Sequence, residues 1–237
     1  IILLPFALKY FKPLGIKEIK AGIFLGFLMF LAFAAQTAGL KYTTATKSAF
    51  ITGSLVVIIP FLQFFIEKKM PSAGTSFGTV LVFSGILFLS GQSDSFTNTI
   101  ANLGGDFNIG DVLTLICAFI YALHIVMLDV VSRKINFRAL VFLQVATVAL
   151  CGWVAAIIFD FSGIEKILIE PGFPLIWGVV YTAVFATVIT TTIQTRYQKT
   201  VTPAKAGIIY SFEPIFATLL AFFLLNEKIT IFGIVGC

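Results

Sequence analysis

Charge is what this chain has least of. Of its 237 residues only 11% are Asp, Glu, Lys or Arg, against 59% hydrophobic, and the mean hydropathy is +1.04. Water-soluble domains carry roughly 25% charged residues. There is too little polar surface here to clothe a water-facing globule. The apolar excess must meet lipid, and the class is an all-α polytopic membrane protein.

Histidine and cysteine are scarce too. The single histidine, His124, offers no metal-ligand spacing and no catalytic pair. Cys117, Cys151 and Cys237 lie in or beside apolar runs at unrelated spacings. They make neither a disulfide framework nor a metal site and read as small packing residues. No cofactor is expected. The net charge of +5 and the pI near 9.1 do not point to nucleic acid, because the basic residues are scattered between apolar runs and form no basic face. The partners to expect are the lipid bilayer, a small-molecule substrate and protons, with the oligomeric state left open.

Apolar runs dominate what is present. Seven look complete, at about 20–40, 46–66, 74–92, 109–131, 137–159, 174–195 and 204–226. Each is close to the ~20 residues that cross a ~30 Å hydrocarbon core. Partial runs lie at 1–11 and 230–237, and the chain opens on Ile rather than Met, which reads as a fragment. Backbone groups in lipid must bond within their own segment, so the runs are helices. The alternation of a barrel strand is not seen. The longest connection, SDSFTNTIANLGGDFN at about 93–108, is polar and holds no Lys or Arg.

The connections alternate in basic residues. One side holds Lys9, Lys12, Lys17, Lys20, Lys68, Lys69, Arg133, Lys134, Arg138, Arg196, Lys199 and Lys205. The other holds Lys41, Lys47, Lys166 and Lys228. The richer side is placed in the cytoplasm. Small residues four apart, such as Gly22/Gly26 and Gly74/Gly78, let helix backbones approach closely.

One phrase is written twice. QTAGLKYTTATKSAFI at 36–51 and QTRYQKTVTPAKAGII at 194–209 share Gln, Thr, Lys, Thr, Lys and Ile without a gap. Each spans the end of one apolar run and the start of the next. Five helices separate the copies, and an odd number of crossings turns the second upside down. The expectation is an inverted repeat, a common plan of secondary transporters.

The residues QTAGLKYTTATKSAFITGSLVVIIP (36–60) with FIEKK (65–69), and QTRYQKTVTPAKAGIIYSFEPIFA (194–217) with LLNEK (224–228), resemble EamA-type permeases of the drug/metabolite transporter superfamily. The resemblance covers essentially the whole chain. It implies two five-helix bundles, ten helices in the full protein, with both termini cytoplasmic and the first and last helices truncated here. The domains are then a first repeat at 1–92, a polar extracytoplasmic loop at 93–108 and a second repeat at 109–237. It also implies a plasma (inner) membrane protein that exports amino acids or related compounds. The abundance of Ile, Phe and Lys suggests a bacterial source.

Glu213 is the sharpest candidate. A carboxylate well inside an apolar run is costly and marks a functional site by default. It can take a substrate ammonium group or a proton; alternatively it bonds backbone freed by Pro214. Leu55 holds the matching place in the first repeat. His124 shares a polar stripe with Thr114, Cys117 and Tyr121 at helical spacing. It either lines a cavity and titrates or is satisfied between helices. Thr187, Thr190, Thr191 and Gln194 form a second stripe, and Gln36 is the repeat mate of Gln194. These can line a path or join helices. Tyr210 precedes Glu213 by three positions, on the same face of an unbroken helix. Pro60 and Pro214 can break their helices and open backbone groups to a cavity, or be tolerated kinks.

Glu67 and Glu227 read as surface or interface residues, and Lys47 and Lys205 as ones that snorkel to the interface. Asp129 has an i,i+4 partner in Arg133. The leading reading is a secondary carrier working by alternating access, with proton coupling through Glu213 or His124. The alternatives are a channel, a non-transporting membrane sensor or, less favoured, an intramembrane enzyme, which lacks the clustered groups it would need.

Overall fold

The computed structural model describes residues 15–43, 45–89, 107–163, 172–225 and 231–236. The partial run at 1–11, most of the polar loop, Lys166, Glu227, Lys228 and Cys237 lie outside them. Among the described residues every regular element is a helix. They are α1 (Ile16–Gly39), α2 (Ala45–Gly53), α3 (Leu55–Glu67), α4 (Ala73–Leu89), α5 (Ile109–Ser132), α6 (Phe137–Phe161), α7 (Phe173–Tyr181), α8 (Thr190–Tyr197), α9 (Pro203–Tyr210), α10 (Phe212–Leu225) and α11 (Ile231–Gly236). A π-helical stretch, Thr182–Ile189, joins α7 to α8, and a 3-10 turn, Gln198–Thr200, follows α8. Taken through their short irregular turns, five helical stretches among the described residues are long and apolar enough to cross a membrane: Ile16–Gly39, Lys47–Glu67, Ile109–Ser132, Phe137–Phe161 and Leu175–Thr200.

The chain forms two compact units. One comprises Ile1–Phe30 and Met127–Thr200, the other Leu31–Val126 and Val201–Cys237. In the first unit, α1 lies backbone-close on α6. A Cβ added to Gly22 would stand 2.5 Å from Leu143 Cβ, and one on Gly26 would stand 2.7 Å from Thr147 Cβ. Only glycine permits that approach, as the four-residue spacing implied. Leu25, Leu128 and Leu140 form the buried apolar core there.

In the second unit, α9 packs along α3, and α10 touches α2. The Gln63 side chain accepts the Ala204 N–H at 3.2 Å, which satisfies a donor at the start of α9. One turn further on, a Cβ on Gly207 would meet Ile59 at 3.0 Å and Val56 Cα at 3.6 Å. Residue number rises along one helix as it falls along the other, so α2–α3 and α9–α10 run antiparallel in contact. Their shared core is Leu55, Ile59, Ala122, Ile125, Val126 and Ala206.

Both helices are interrupted. The first breaks at Ser54 (φ −61°, ψ −12°), the second at Ser211 (φ −67°, ψ −8°). Each serine hydroxyl bonds back into the turn before it, Ser54 to Ile51 O at 2.6 Å and Ser211 to Gly207 O at 2.9 Å. Pro214 has no N–H for the Tyr210 carbonyl, and the restart at Phe212 puts it in the first turn of α10, where no donor is needed. Pro60 lies inside α3, which runs on through it. Matched as the two phrases are, the breaks fall one residue apart, whereas the prolines lie about a turn apart.

Candidate functional site

On α5, Thr114, Cys117 and His124 are buried and Tyr121 is half-buried. The Thr114 hydroxyl bonds to Gly110 O at 2.8 Å, as expected of a threonine inside a helix with no water to meet. The Tyr121 ring stacks on the His124 ring, with centroids 5.7 Å apart and planes 25° apart. Tyr121 and Tyr210 pack against the same apolar cluster. The second unit therefore brings His124, Tyr121 and Tyr210 together. Gln36, also in that unit, is half-buried on α1.

Glu213 is exposed in the first turn of α10, while Tyr210 ends α9 half-buried. The turn at Ser211 separates them. The common face expected of an unbroken helix is interrupted, because the periodicity argument ignores a restart.

In the first unit, α8 buries Thr191, Gln194 and Thr195 on one side, and the 3-10 turn after it buries Gln198. Gln144 of α6 joins them: its Nε2 donates to Thr195 Oγ1 at 3.3 Å and to Leu140 O at 3.2 Å. Gln194 Nε2 has no hydrogen-bond partner among the described residues. Thr190 is exposed, and its hydroxyl bonds to Phe185 O at 2.9 Å, five residues back. Thr187 does the same with Thr182 O at 2.9 Å. These i−5 bonds fit the π-helical path, a conformation that recurs at functional sites. Gln144, Thr195 and Gln198 were missed from sequence, although 191, 194/195 and 198 have helical spacing.

Asp111 was missed as well. It is fully buried at the start of α5 and holds Lys47 Nζ at 2.6 Å; the lysine side chain is 14% exposed. The Thr43 hydroxyl donates to Asp111 Oδ1 at 2.6 Å, and the Asn108 N–H donates to Oδ2 at 2.9 Å. Asn108 Nδ2 reaches Tyr42 O at 2.7 Å. A Cβ on Gly110 would lie 2.6 Å from Gly39 O, so the two backbones meet directly beneath this pair. Lys47 does not snorkel, because the buried Asp111 carboxylate holds its ammonium group. The whole arrangement clamps the α1–α2 turn and α2 onto the start of α5.

Asp129 and Arg133 pair as the spacing implied, with Nε to Oδ2 at 3.0 Å and Nη2 to Oδ1 at 3.1 Å. The Glu67 side chain, read as a surface or interface group, is 7% exposed, with Lys69 Nζ 3.8 Å away. Among the described residues no group of three or more His, Cys, Asp and Glu is placed to hold a metal ion.

These long apolar helices, broken, close-packed and carrying buried polar faces, define a multi-pass α-helical membrane protein. The chain matches the EamA-like transporter family over residues 1–91 and 108–237, and it belongs to that family. It is 32% identical over 217 residues to an uncharacterized transporter of Archaeoglobus fulgidus, covering 90% of this chain. It spans 63% of that relative's length. A crystal structure, described only as that of a protein, matches 100% of this chain and 78% of its own chain with a TM-score of 0.76 at 15% identity. That likeness establishes the fold alone. The family points to transport rather than catalysis.

Proposed function

We propose that the protein is a secondary-active carrier that moves a small polar metabolite across the plasma membrane by alternating access. Its direction is export, and amino acids or related compounds are the substrates. The archaeal relative weighs against the bacterial source that composition suggested. The observation that carries the reading is the antiparallel contact of α2–α3 with α9–α10 through Gln63–Ala204 and Gly207–Ile59. Two similar phrases packed head to tail supply the pair of inverted elements that alternating access needs.

Roles follow from placement. Glu213, a carboxylate in the first turn of α10, takes a substrate ammonium group or a proton. His124, stacked on Tyr121 in the buried face of α5, is a second proton-responsive group whose charge would alter the packing of α5. The Lys47–Asp111 pair closes one end by fixing α2 to α5, and opening that end separates the pair. Flux into proteoliposomes under an imposed pH gradient tests the reading. Wild type responds to the gradient, Glu213→Gln responds several-fold less, and an unchanged response in that variant removes Glu213 from the coupling. Single-channel currents in place of saturable flux would favour a channel.

A further inference from the structure

Two buried glutamines of the first unit behave differently. Gln144 of α6 is fully buried, and its Nε2 donates to Thr195 Oγ1 at 3.3 Å and to Leu140 O at 3.2 Å. The first of these bonds ties α6 to α8. Gln194 precedes that threonine on α8 and is only 7% exposed, yet its Nε2 has no hydrogen-bond partner among the described residues. Thr191 and Gln198, at helical spacing from it, are buried as well. The charged residues of this segment, Arg196 and Lys199, are exposed instead. The buried face is therefore polar and uncharged.

A donor taken out of water and left unpaired destabilises a fold, and each such group calls for a reason. Methionine would fill nearly the same space without that penalty. Joining helices is not the reason, because Gln144 and Thr195 already do so. The stretch just before, Thr182–Ile189, is π-helical, a path that recurs at functional sites. Gln194 also stands near the end of the span Leu175–Thr200, close to the water from which a solute arrives. An unpaired N–H requires an oxygen acceptor. A carboxylate would find no cation on this face, whereas an uncharged carbonyl or hydroxyl oxygen needs none. We infer that Gln194 is a specificity-determining residue of the carrier's substrate site. Its Nε2 donates to an uncharged oxygen of the substrate, of the kind a carboxamide carries. The inference rests on the carrier reading and deepens it, since it names the group the substrate must present.

The test titrates the purified full chain in detergent micelles with L-asparagine, L-aspartate and L-leucine, which are nearly equal in shape and differ at the side-chain end. Binding is read by calorimetry, and flux of the same compounds by proteoliposomes. Wild type binds L-asparagine about tenfold or more tightly than either of the others. Gln194→Met loses that preference and binds L-asparagine about tenfold or more weakly. Its melting temperature without ligand equals or exceeds that of wild type, because the unpaired donor is gone. Gln144→Met removes a donor that is paired and lowers the melting temperature by about 2–4 °C. A fall of that size in Gln194→Met would make Gln194 a helix-joining residue and overturn the inference. An undiminished preference for L-asparagine in that variant, with flux intact, also overturns it and leaves the carrier reading standing. The expected preference without flux removes the carrier reading and keeps the assignment of Gln194. Failure of wild type to bind any of the three overturns both the assignment and the amino-acid reading.

Discussion

The segments 36–51 and 194–209 repeat a local structure without repeating its chemistry. In the first, α1 ends at Gly39, α2 begins at Ala45 and runs nine residues, and a break at Ser54 precedes α3. In the second, α8 ends at Tyr197, α9 begins at Pro203 and runs eight residues, and a break at Ser211 precedes α10. The starts of α2 and α9 correspond residue for residue, and those of α3 and α10 differ by one residue. The surroundings of the two lysines do not: Lys47 is locked to buried Asp111, whereas Lys205 is exposed and makes no ion pair among the described residues. Gly39 allows the first turn to lie against Gly110, and its counterpart, Tyr197, is too large for such a contact. The approach differs as well, since Thr182–Ile189 is π-helical while the matching 24–31 lies within α1. Backbone rules are thus shared by the two segments, and side-chain partners are particular to each.

The largest expected effect removes the partner that distinguishes the first copy. Asp111→Ala removes the buried carboxylate that Lys47 holds at 2.6 Å and should cost about 3–5 kcal/mol, whereas Lys205→Ala should change stability by no more than about 0.5 kcal/mol. Denaturation of the purified variants in micelles measures both. Equal losses would show that the copies are held alike. A smaller effect is steric. Gly110→Ala forces a methyl to within 2.6 Å of Gly39 O and should cost about 1–3 kcal/mol; Gly152→Ala, whose Cβ meets nothing within 4 Å, should be neutral or slightly stabilising.

The smallest effect probes the π-helical stretch. Thr187→Val and Thr190→Val each remove a hydroxyl bonded five residues back, for about 0.5–1.5 kcal/mol apiece. Met29 and Ala32 hold the matching places in α1 and have no hydroxyl to offer, so introducing threonine there should not create a π turn. Amide hydrogen exchange across 182–190 reads the first change, and unaltered protection in both variants would separate the threonines from the π path.

Much of the architecture was legible because lipid imposes it. Apolar length alone located α1, α5, α6 and the stretch from α7 to α8. Gly22 and Gly26 announced the contact with α6 because a four-residue spacing places both on one helix face. What stayed hidden depends on partners far along the chain. Nothing in a single sequence ties Lys47 to Asp111, and Asp111 sits beside a polar loop where an acid draws no notice. The break at Ser211 was invisible to a periodicity argument, which therefore gave Tyr210 and Glu213 one face. Pro60 misdirected the search for the first break, since the hydroxyl-bearing turn at Thr52–Ser54, and not the proline, marks where that helix stops.

The central claim is that the two phrases enter the membrane from opposite sides. Tyr42 and Thr200 are matching, exposed positions in the two turns. In a background with Cys117, Cys151 and Cys237 replaced, Tyr42→Cys and Thr200→Cys variants can be labelled with a membrane-impermeant maleimide in right-side-out and inside-out vesicles. The account predicts that position 42 reacts from the outside only and position 200 from the inside only. Labelling of both positions from the same side would contradict it.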